Sequence, residues 1–69
     1  MNSNRMYRIC MEVWEEEGEA CPCYGLVCGE RVIRFISPDR RLVERMAEVL
    51  NAQQPHESRV LDIVEQMLP

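Results

Sequence analysis

Four cysteines are the residues of this sequence best suited to chemistry, because four thiolates are enough to hold a tetrahedral zinc ion. Two belong to the segment Cys21-Pro22-Cys23, and Cys10 and Cys28 stand apart from it. Structural zinc sites use repeated Cys-x-x-Cys knuckles, a spacing that this sequence lacks. We therefore expect no zinc site built from all four thiols. A thiolate metal-binding or metal-sensing protein, with Cys10, Cys21 and Cys23 as ligands, is an alternative function.

The Cys-Pro-Cys segment could also serve as a redox pair. The intervening proline holds the two thiols in a poor arrangement for a closed disulfide, and no helix N-terminus follows that would stabilise a thiolate. In a reducing cytosol we expect all four cysteines to be free thiols that pack as small apolar side chains.

Two other groups of polar residues are candidates for a site. His56 is the only histidine, and no serine or cysteine near it suggests a catalytic partner, which favours a surface or capping role. Arg40 and Arg41 fall in the first turn of a predicted helix, where free backbone N–H groups could help them hold a phosphate or carboxylate. Ordinary ion pairing with Glu44 is the competing interpretation. Small-anion binding is thus a second alternative function.

Length and charge exclude several classes of function. The chain has 69 residues, of which 46% are hydrophobic and 29% are charged, the composition of one small folded domain. Its formal net charge of -4 repels phosphate backbones and anionic lipids, so we expect no nucleic-acid or membrane partner. No apolar run approaches the ~18 residues of a membrane span, and no signal peptide is recognisable. We expect a cytoplasmic protein that is not an enzyme and needs no cofactor, because so small a chain has little room for a catalytic cleft.

Alternation of apolar and polar residues predicts three strands, over about 6–14, 22–28 and 31–36. The glutamate-rich segment 15–19 interrupts the pattern and predicts an exposed loop. Gly29-Glu30 suits a two-residue turn, which fixes the register of the second hairpin. That register pairs Cys28 with Arg31, Val27 with Val32, Leu26 with Ile33, Gly25 with Arg34, Tyr24 with Phe35 and Cys23 with Ile36. It places Tyr24 and Phe35 on the face that forms the core.

Two amphipathic helices are predicted to follow the strands. Ser37-Pro38-Asp39 predicts a helix start with Ser37 as the cap, and the apolar stripe after it predicts a helix over about 38–51. Pro55 opens a second helix over about 55–67. The predicted fold is one α+β domain of residues 6–69, a three-stranded antiparallel meander with both helices packed on one face (βββαα). A disordered tail of residues 1–5 precedes it.

Four short segments carry a resemblance to a known family. They are Tyr24-Gly25-Leu26, Ile36-Ser37-Pro38-Asp39-Arg40, Leu50-Asn51 and Asp62-Ile63-Val64-Glu65. Through them the chain resembles a family of short, uncharacterised bacterial proteins known only as a domain of unknown function, and the resemblance covers nearly the whole chain from Tyr7. It implies a cytoplasmic bacterial protein and supplies no catalytic residues. The cysteines are not part of the family pattern, which argues against a metal function shared by the family.

The face of the sheet turned away from the helices is the predicted interaction surface. Such a face is usually polar. Here it has the apolar residues Met6, Cys10, Trp14, Cys23, Val27, Val32 and Ile36, interrupted by Arg8, Glu12 and Arg34. We predict a non-enzymatic interaction or assembly module, which forms a homodimer or binds another protein through Trp14, Cys10, Val27, Val32, Arg34 and Ile36, with Trp14 as the anchor. Alternatively, the glutamate-rich loop or the N-terminal tail covers this face.

Overall fold

The computed structural model describes residues 6–69, which form three antiparallel strands followed by two helices. The strands are β1 (Arg8–Glu16), β2 (Glu19–Cys28) and β3 (Arg31–Ser37), and the helices are α1 (Arg40–Gln53) and α2 (Glu57–Met67). The strands pair in the order β1-β2-β3 in one sheet. The predicted α+β meander with two following helices is confirmed. The predicted tail, residues 1–5, lies outside the described residues.

β1 and β2 form a long hairpin, and the predicted loop over residues 15–19 is wrong. Pairing continues without interruption to Glu16 and Glu19, so only Glu17 and Gly18 form the turn. Both turn residues have positive φ, 52° and 82°, as a type I′ turn requires. Residues 13–22, which we call the hairpin arm, are all exposed. Water on both sides of the arm screens the like charges at its tip, which is why the glutamates can extend the strands.

β2 and β3 form a second hairpin, in which the predicted register holds only near the turn. The pairs Cys28–Arg31, Val27–Val32 and Leu26–Ile33 are as predicted. Beyond them β3 bulges and the next pair is Tyr24–Ser37, so that residues 34–36 all lie opposite Gly25. The predicted pairs Tyr24–Phe35 and Cys23–Ile36 are therefore wrong.

Gly25 explains how the bulge is accommodated. It is buried, and a Cβ at this position would collide with the carbonyl oxygen of Ile33 and lie 3.2 Å from the Cα of Arg34. The backbone of β3 thus folds closely over β2 at a residue that has no side chain. Phe35, at the centre of the bulge, has a φ of 53°, in the left-handed region. As a result Ile36 packs against the core and Phe35 is exposed, both contrary to the sequence prediction.

α1 begins two residues later than predicted, because Asp39 rather than Ser37 caps it. The Asp39 carboxylate accepts hydrogen bonds from the backbone N–H groups of Arg41 and Leu42, at 3.1 and 3.3 Å. The Ser37 hydroxyl accepts instead from the N–H of Asp39, at 3.0 Å. Ser37 therefore holds Asp39, the capping residue, in position and does not itself cap α1.

The core lies between the sheet and α1, and α2 packs against α1. Its buried apolar side chains are Tyr7, Leu26, Val43, Met46, Ala47, Leu50, Val60 and Val64. An ion pair of 3.7 Å between Arg31 of β3 and Glu57 of α2 links the second helix to the sheet. Met11 and Val13 project from the same face of β1 as the core residues, yet each is 57% exposed. The helices therefore leave the far end of this face uncovered.

Candidate interaction surface

The face of the sheet opposite the helices, which we call the outer face, follows from the strand register. Cross-strand pairs on it are Arg8–Val27, Glu12–Cys23, Trp14–Cys21 and Val27–Val32, and Cys10 and Arg34 share the same face. The structure thus brings the predicted interface residues Trp14, Cys10, Val27, Val32 and Arg34 to one face. Ile36 is not among them, because the bulge turns it toward the core. The glutamate-rich segment extends the hairpin instead of covering this face, and the N-terminal tail lies outside the described residues.

An aromatic pair is the main feature of the outer face. The rings of Trp14 and Phe35 meet edge to face, with centroids 5.5 Å apart and an interplanar angle of 86°. Such a contact stabilises by about 0.5–1.5 kcal/mol beyond simple burial. The two side chains nevertheless stay 50% and 42% exposed. Strand alternation had assigned Phe35 to the core face, although a glycine inside a strand, here Gly25, is a known signal of a bulge.

An ion pair crosses the outer face from one edge strand to the other. The Nε of Arg34 on β3 lies 3.1 Å from Oε1 of Glu12 on β1, so the pair reaches over the middle strand. An exposed pair of this kind adds at most about 1 kcal/mol to stability. Its more important effect is that neither charge on this part of the face is left uncompensated.

The four cysteines divide between the two faces of the sheet. Cys10, Cys21 and Cys23 belong to the outer face, while Cys28 packs against the core, and all four are free thiols. Within residues 6–69 no group of three or more His, Cys, Asp or Glu side chains is arranged to hold a metal ion. The three thiols suggested as ligands therefore share a face without forming a metal centre in the described part of the chain.

The start of α1, suggested as an anion site, is already occupied by groups of the protein. The Asp39 carboxylate takes the backbone N–H groups of Arg41 and Leu42 that a bound anion would need. Arg40 forms an ion pair with Glu44, with Nε and Oε2 3.5 Å apart. These contacts favour the interpretation in which the arginines belong to an ordinary helix surface.

His56 is the cap of α2, as the capping interpretation predicted, and α2 begins after it rather than at Pro55. Its Nδ1 accepts a hydrogen bond from the backbone N–H of Ser58 at 3.3 Å and lies 3.0 Å from the Ser58 hydroxyl oxygen. The ring nitrogen is thus used to satisfy a free N–H of the first turn. This gives the histidine a structural role.

Comparison with known proteins gives no match: no protein-family model fits the sequence, and no curated protein or solved structure is significantly similar to it. The resemblance to a family of small bacterial proteins stays a prediction. Neither helix in residues 6–69 has the length and apolar character needed to cross a membrane.

Proposed function

We propose that this chain is a small, non-enzymatic protein-interaction module of the cytoplasm, whose outer face binds another protein molecule. Trp14 and Phe35 are the anchors of that face, and Val27 and Val32 extend it. The partner is a second copy of the chain, which gives a homodimer through the sheet face, or a different protein.

The conformation of Phe35 is the observation that supports this proposal best. A non-glycine residue in the left-handed region costs about 1–3 kcal/mol, and residues under such strain cluster at functional sites. The strained backbone turns the ring of Phe35 to an exposed position beside Trp14, while its neighbour Ile36 packs against the core. Exposed aromatic side chains are frequent anchors of protein interfaces. Binding of a partner would bury the two rings and offset the cost of presenting them.

The composition of the outer face gives further support. Val32 is 46% exposed and Val27 is half-buried, and with the aromatic pair they make this face more apolar than is usual for the free side of an antiparallel sheet. The ion pair between Arg34 and Glu12 neutralises both charges, so a partner that covers this part of the face isolates neither of them. No comparable observation favours metal or anion binding.

Site-specific photo-crosslinking tests the proposal. A benzophenone amino acid in place of Val32 puts a photoreactive group on the outer face and leaves both aromatic anchors intact. We expect irradiation in cells to give one specific adduct. An adduct of twice the mass of the chain identifies a homodimer, and any other mass identifies a different protein, which is then purified for affinity measurements.

A matched position on another surface provides the control. Leu68, at the end of α2, is also an exposed large apolar residue. The benzophenone residue at position 68 should not give the same adduct. With purified partner, Trp14→Ala should weaken binding about 10-fold or more, while Leu68→Ala should change it about 2-fold or less. Equal adducts from positions 32 and 68, or binding unaffected by Trp14→Ala, would contradict the proposal.

A further inference from the structure

We propose that the free edge of β1 is a second interaction surface, at which two copies of the chain pair antiparallel and join their three-stranded sheets into one sheet of six strands. This surface is distinct from the outer face, since it uses the backbone of an edge strand rather than the side chains of a sheet face. The inference therefore goes beyond the proposed function and does not depend on it.

The turn of the first hairpin decides which backbone groups of β1 face the free edge. In a two-residue hairpin the closing pair, here Glu16–Glu19, is hydrogen-bonded, and hydrogen-bonded and non-hydrogen-bonded pairs alternate from there. Ile9, Met11 and Val13 consequently lie in non-hydrogen-bonded pairs with β2. Their N–H and C=O groups point away from β2, toward the open edge.

A contact made just before β1 supports this assignment. Tyr7 lies two residues before Ile9, so its backbone N–H and C=O groups face the same edge as those of Ile9, Met11 and Val13. Both of these groups of Tyr7 are bound by Asn51. The Asn51 Oδ1 accepts from the N–H of Tyr7 at 2.6 Å, and its Nδ2 donates to the carbonyl oxygen of Tyr7 at 3.0 Å. The Asn51 side chain thus occupies the place of a neighbouring strand. Within residues 6–69, no side chain makes the equivalent bonds to Ile9, Met11 or Val13.

The other free edges of the sheet have protecting features that β1 lacks within residues 6–69. The edge of β2 in the hairpin arm has Pro22, which lacks an N–H and lies opposite Val13, so its nitrogen faces away from β1. β3 is interrupted by the bulge at Phe35. Prolines and bulges are devices that stop edge strands from pairing with other chains. β1 pairs with β2 over nine residues without a bulge, and its sequence contains no proline, glycine or lysine.

The charges along β1 fit a second copy of the same strand. Arg8 lies at the beginning of the strand, and Glu15 and Glu16 lie at its end. Antiparallel pairing about a two-fold axis at Glu12 puts each Arg8 opposite the partner's Glu16. The two Glu12 side chains then meet at the axis, where each already has the guanidinium group of its own Arg34 at 3.1 Å.

The apolar residues of β1 fit the same register. Met11 stands opposite the partner's Val13, and Val13 opposite the partner's Met11, which brings together four side chains that are 57% exposed in the single chain. A shallow depression of about 240 Å³ lies beside them, lined by Ile9, Cys10, Met11, Tyr24 and Arg40. In this register residues 13–16 of each hairpin arm lie beside residues 8–11 of the other copy's β1.

Two proline variants, compared by light scattering and sedimentation, test the inference. Val13→Pro removes an outward N–H from the edge of β1, and Ala20→Pro removes one from the opposite edge of the same arm. Neither N–H bonds within the hairpin, so both variants should fold, which circular dichroism checks. All chains compared also have Trp14→Ala, which removes association through the outer face. On this background we expect the chain without a proline substitution and the Ala20→Pro chain to be dimers, and the Val13→Pro chain to be a monomer. Equal behaviour of the two variants, or a monomeric wild type up to about 1 mM, would overturn the inference.

A charge exchange tests the register and does not depend on a proline variant. Arg8→Glu should raise the dimer Kd about 10-fold, because it places a glutamate opposite the partner's Glu16 at both ends of the paired strands. Adding Glu16→Arg should return the Kd to within about 3-fold of the wild-type value. Failure of the second change to restore the dimer would overturn the register. The outer-face proposal fails separately, because it depends on Trp14, whereas the edge dimer should be unaffected by Trp14→Ala.

Discussion

Asn51 binds both backbone polar groups of Tyr7, 44 positions earlier in the chain, and so joins the last turn of α1 to the residue before β1. Asn51→Ala removes both hydrogen bonds, and we expect it to lower the free energy of unfolding by about 1–3 kcal/mol. Asn51→Asp keeps an acceptor for the Tyr7 N–H, but it sets a carboxylate oxygen against the Tyr7 carbonyl oxygen and puts a negative charge in the last turn of α1, so its loss should be at least as large. Urea denaturation measures both. Gln53→Ala, on the exposed surface of the same helix, is the control and should change stability by about 0.5 kcal/mol or less.

Gly25 should not tolerate even the smallest side chain. A Cβ would collide with the carbonyl oxygen of Ile33 inside the bulge, so we expect Gly25→Ala to lower the free energy of unfolding by about 1–3 kcal/mol or to remove the bulge. Loss of the bulge would change the near-UV circular dichroism signal of the Trp14–Phe35 pair. Gly29→Asn is the matched control, because nothing lies within 4 Å of a Cβ at Gly29 and asparagine accepts its positive φ of 60°. A Gly25→Ala protein with wild-type stability and spectrum would show that the close approach is misassigned.

Phe35 should behave as a residue retained for binding rather than for stability. We expect Phe35→Gly to be more stable than Phe35→Ala by about 1 kcal/mol, because glycine adopts the left-handed backbone without a Cβ penalty. Thermal denaturation of the two variants measures the difference. Both variants lack the aromatic ring, so both should bind the outer-face partner equally weakly. Greater stability of the alanine variant would mean that position 35 is not strained.

Zinc should have no role in folding. Purified protein exposed to zinc and then dialysed should contain well under one metal ion per chain, and a chelator should leave the melting temperature unchanged. Elemental analysis and calorimetry provide the two measurements. Stoichiometric zinc, lost together with the fold on chelation, would instead support the alternative of a metal site formed by Cys10, Cys21 and Cys23.

Regular patterns made most of the fold predictable from the sequence. Strict alternation located β1, Gly29-Glu30 fixed the register through Leu26–Ile33, and apolar stripes located both helices. The bulge could not be predicted from the alternation of apolar and polar residues. Phe35 and Ile36 are both large apolar residues, so exchanging the faces on which they lie leaves that alternation unchanged. The cause of the bulge is a contact between strands at Gly25. A glycine inside a strand signals that a bulge can form, but it does not say which residues of the neighbouring strand bulge or how their faces change.

The glutamates and the helix cap were mispredicted for different physical reasons. Like charges suggested a loop at 15–19, but a two-sided, solvated hairpin arm accepts them because it buries none of them. Ser37 and Asp39 are both good capping residues, and propensity alone does not choose between them. Among the candidate site residues, the outer-face set was largely predictable because it depends only on strand parity. The exposure of Phe35 depends on the bulge, and the contact of Asn51 with Tyr7 supports the assignment of the backbone groups at the free edge of β1. Both features are visible only in the folded chain.

The hairpin arm also divides the molecule into two units of unequal rigidity. Every residue in the arm is exposed, so opening the arm beyond Trp14, whose ring contacts Phe35, would sacrifice backbone hydrogen bonds but almost no buried apolar contact. Its amides should therefore exchange with deuterium through local fraying, whereas those near Leu26, against the core, should exchange only when the whole domain unfolds. Because the arm beyond Trp14 is so weakly coupled to the core, it can lengthen or shorten by whole cross-strand pairs without altering the rest of the domain, and its reach toward a partner can change while the core stays the same.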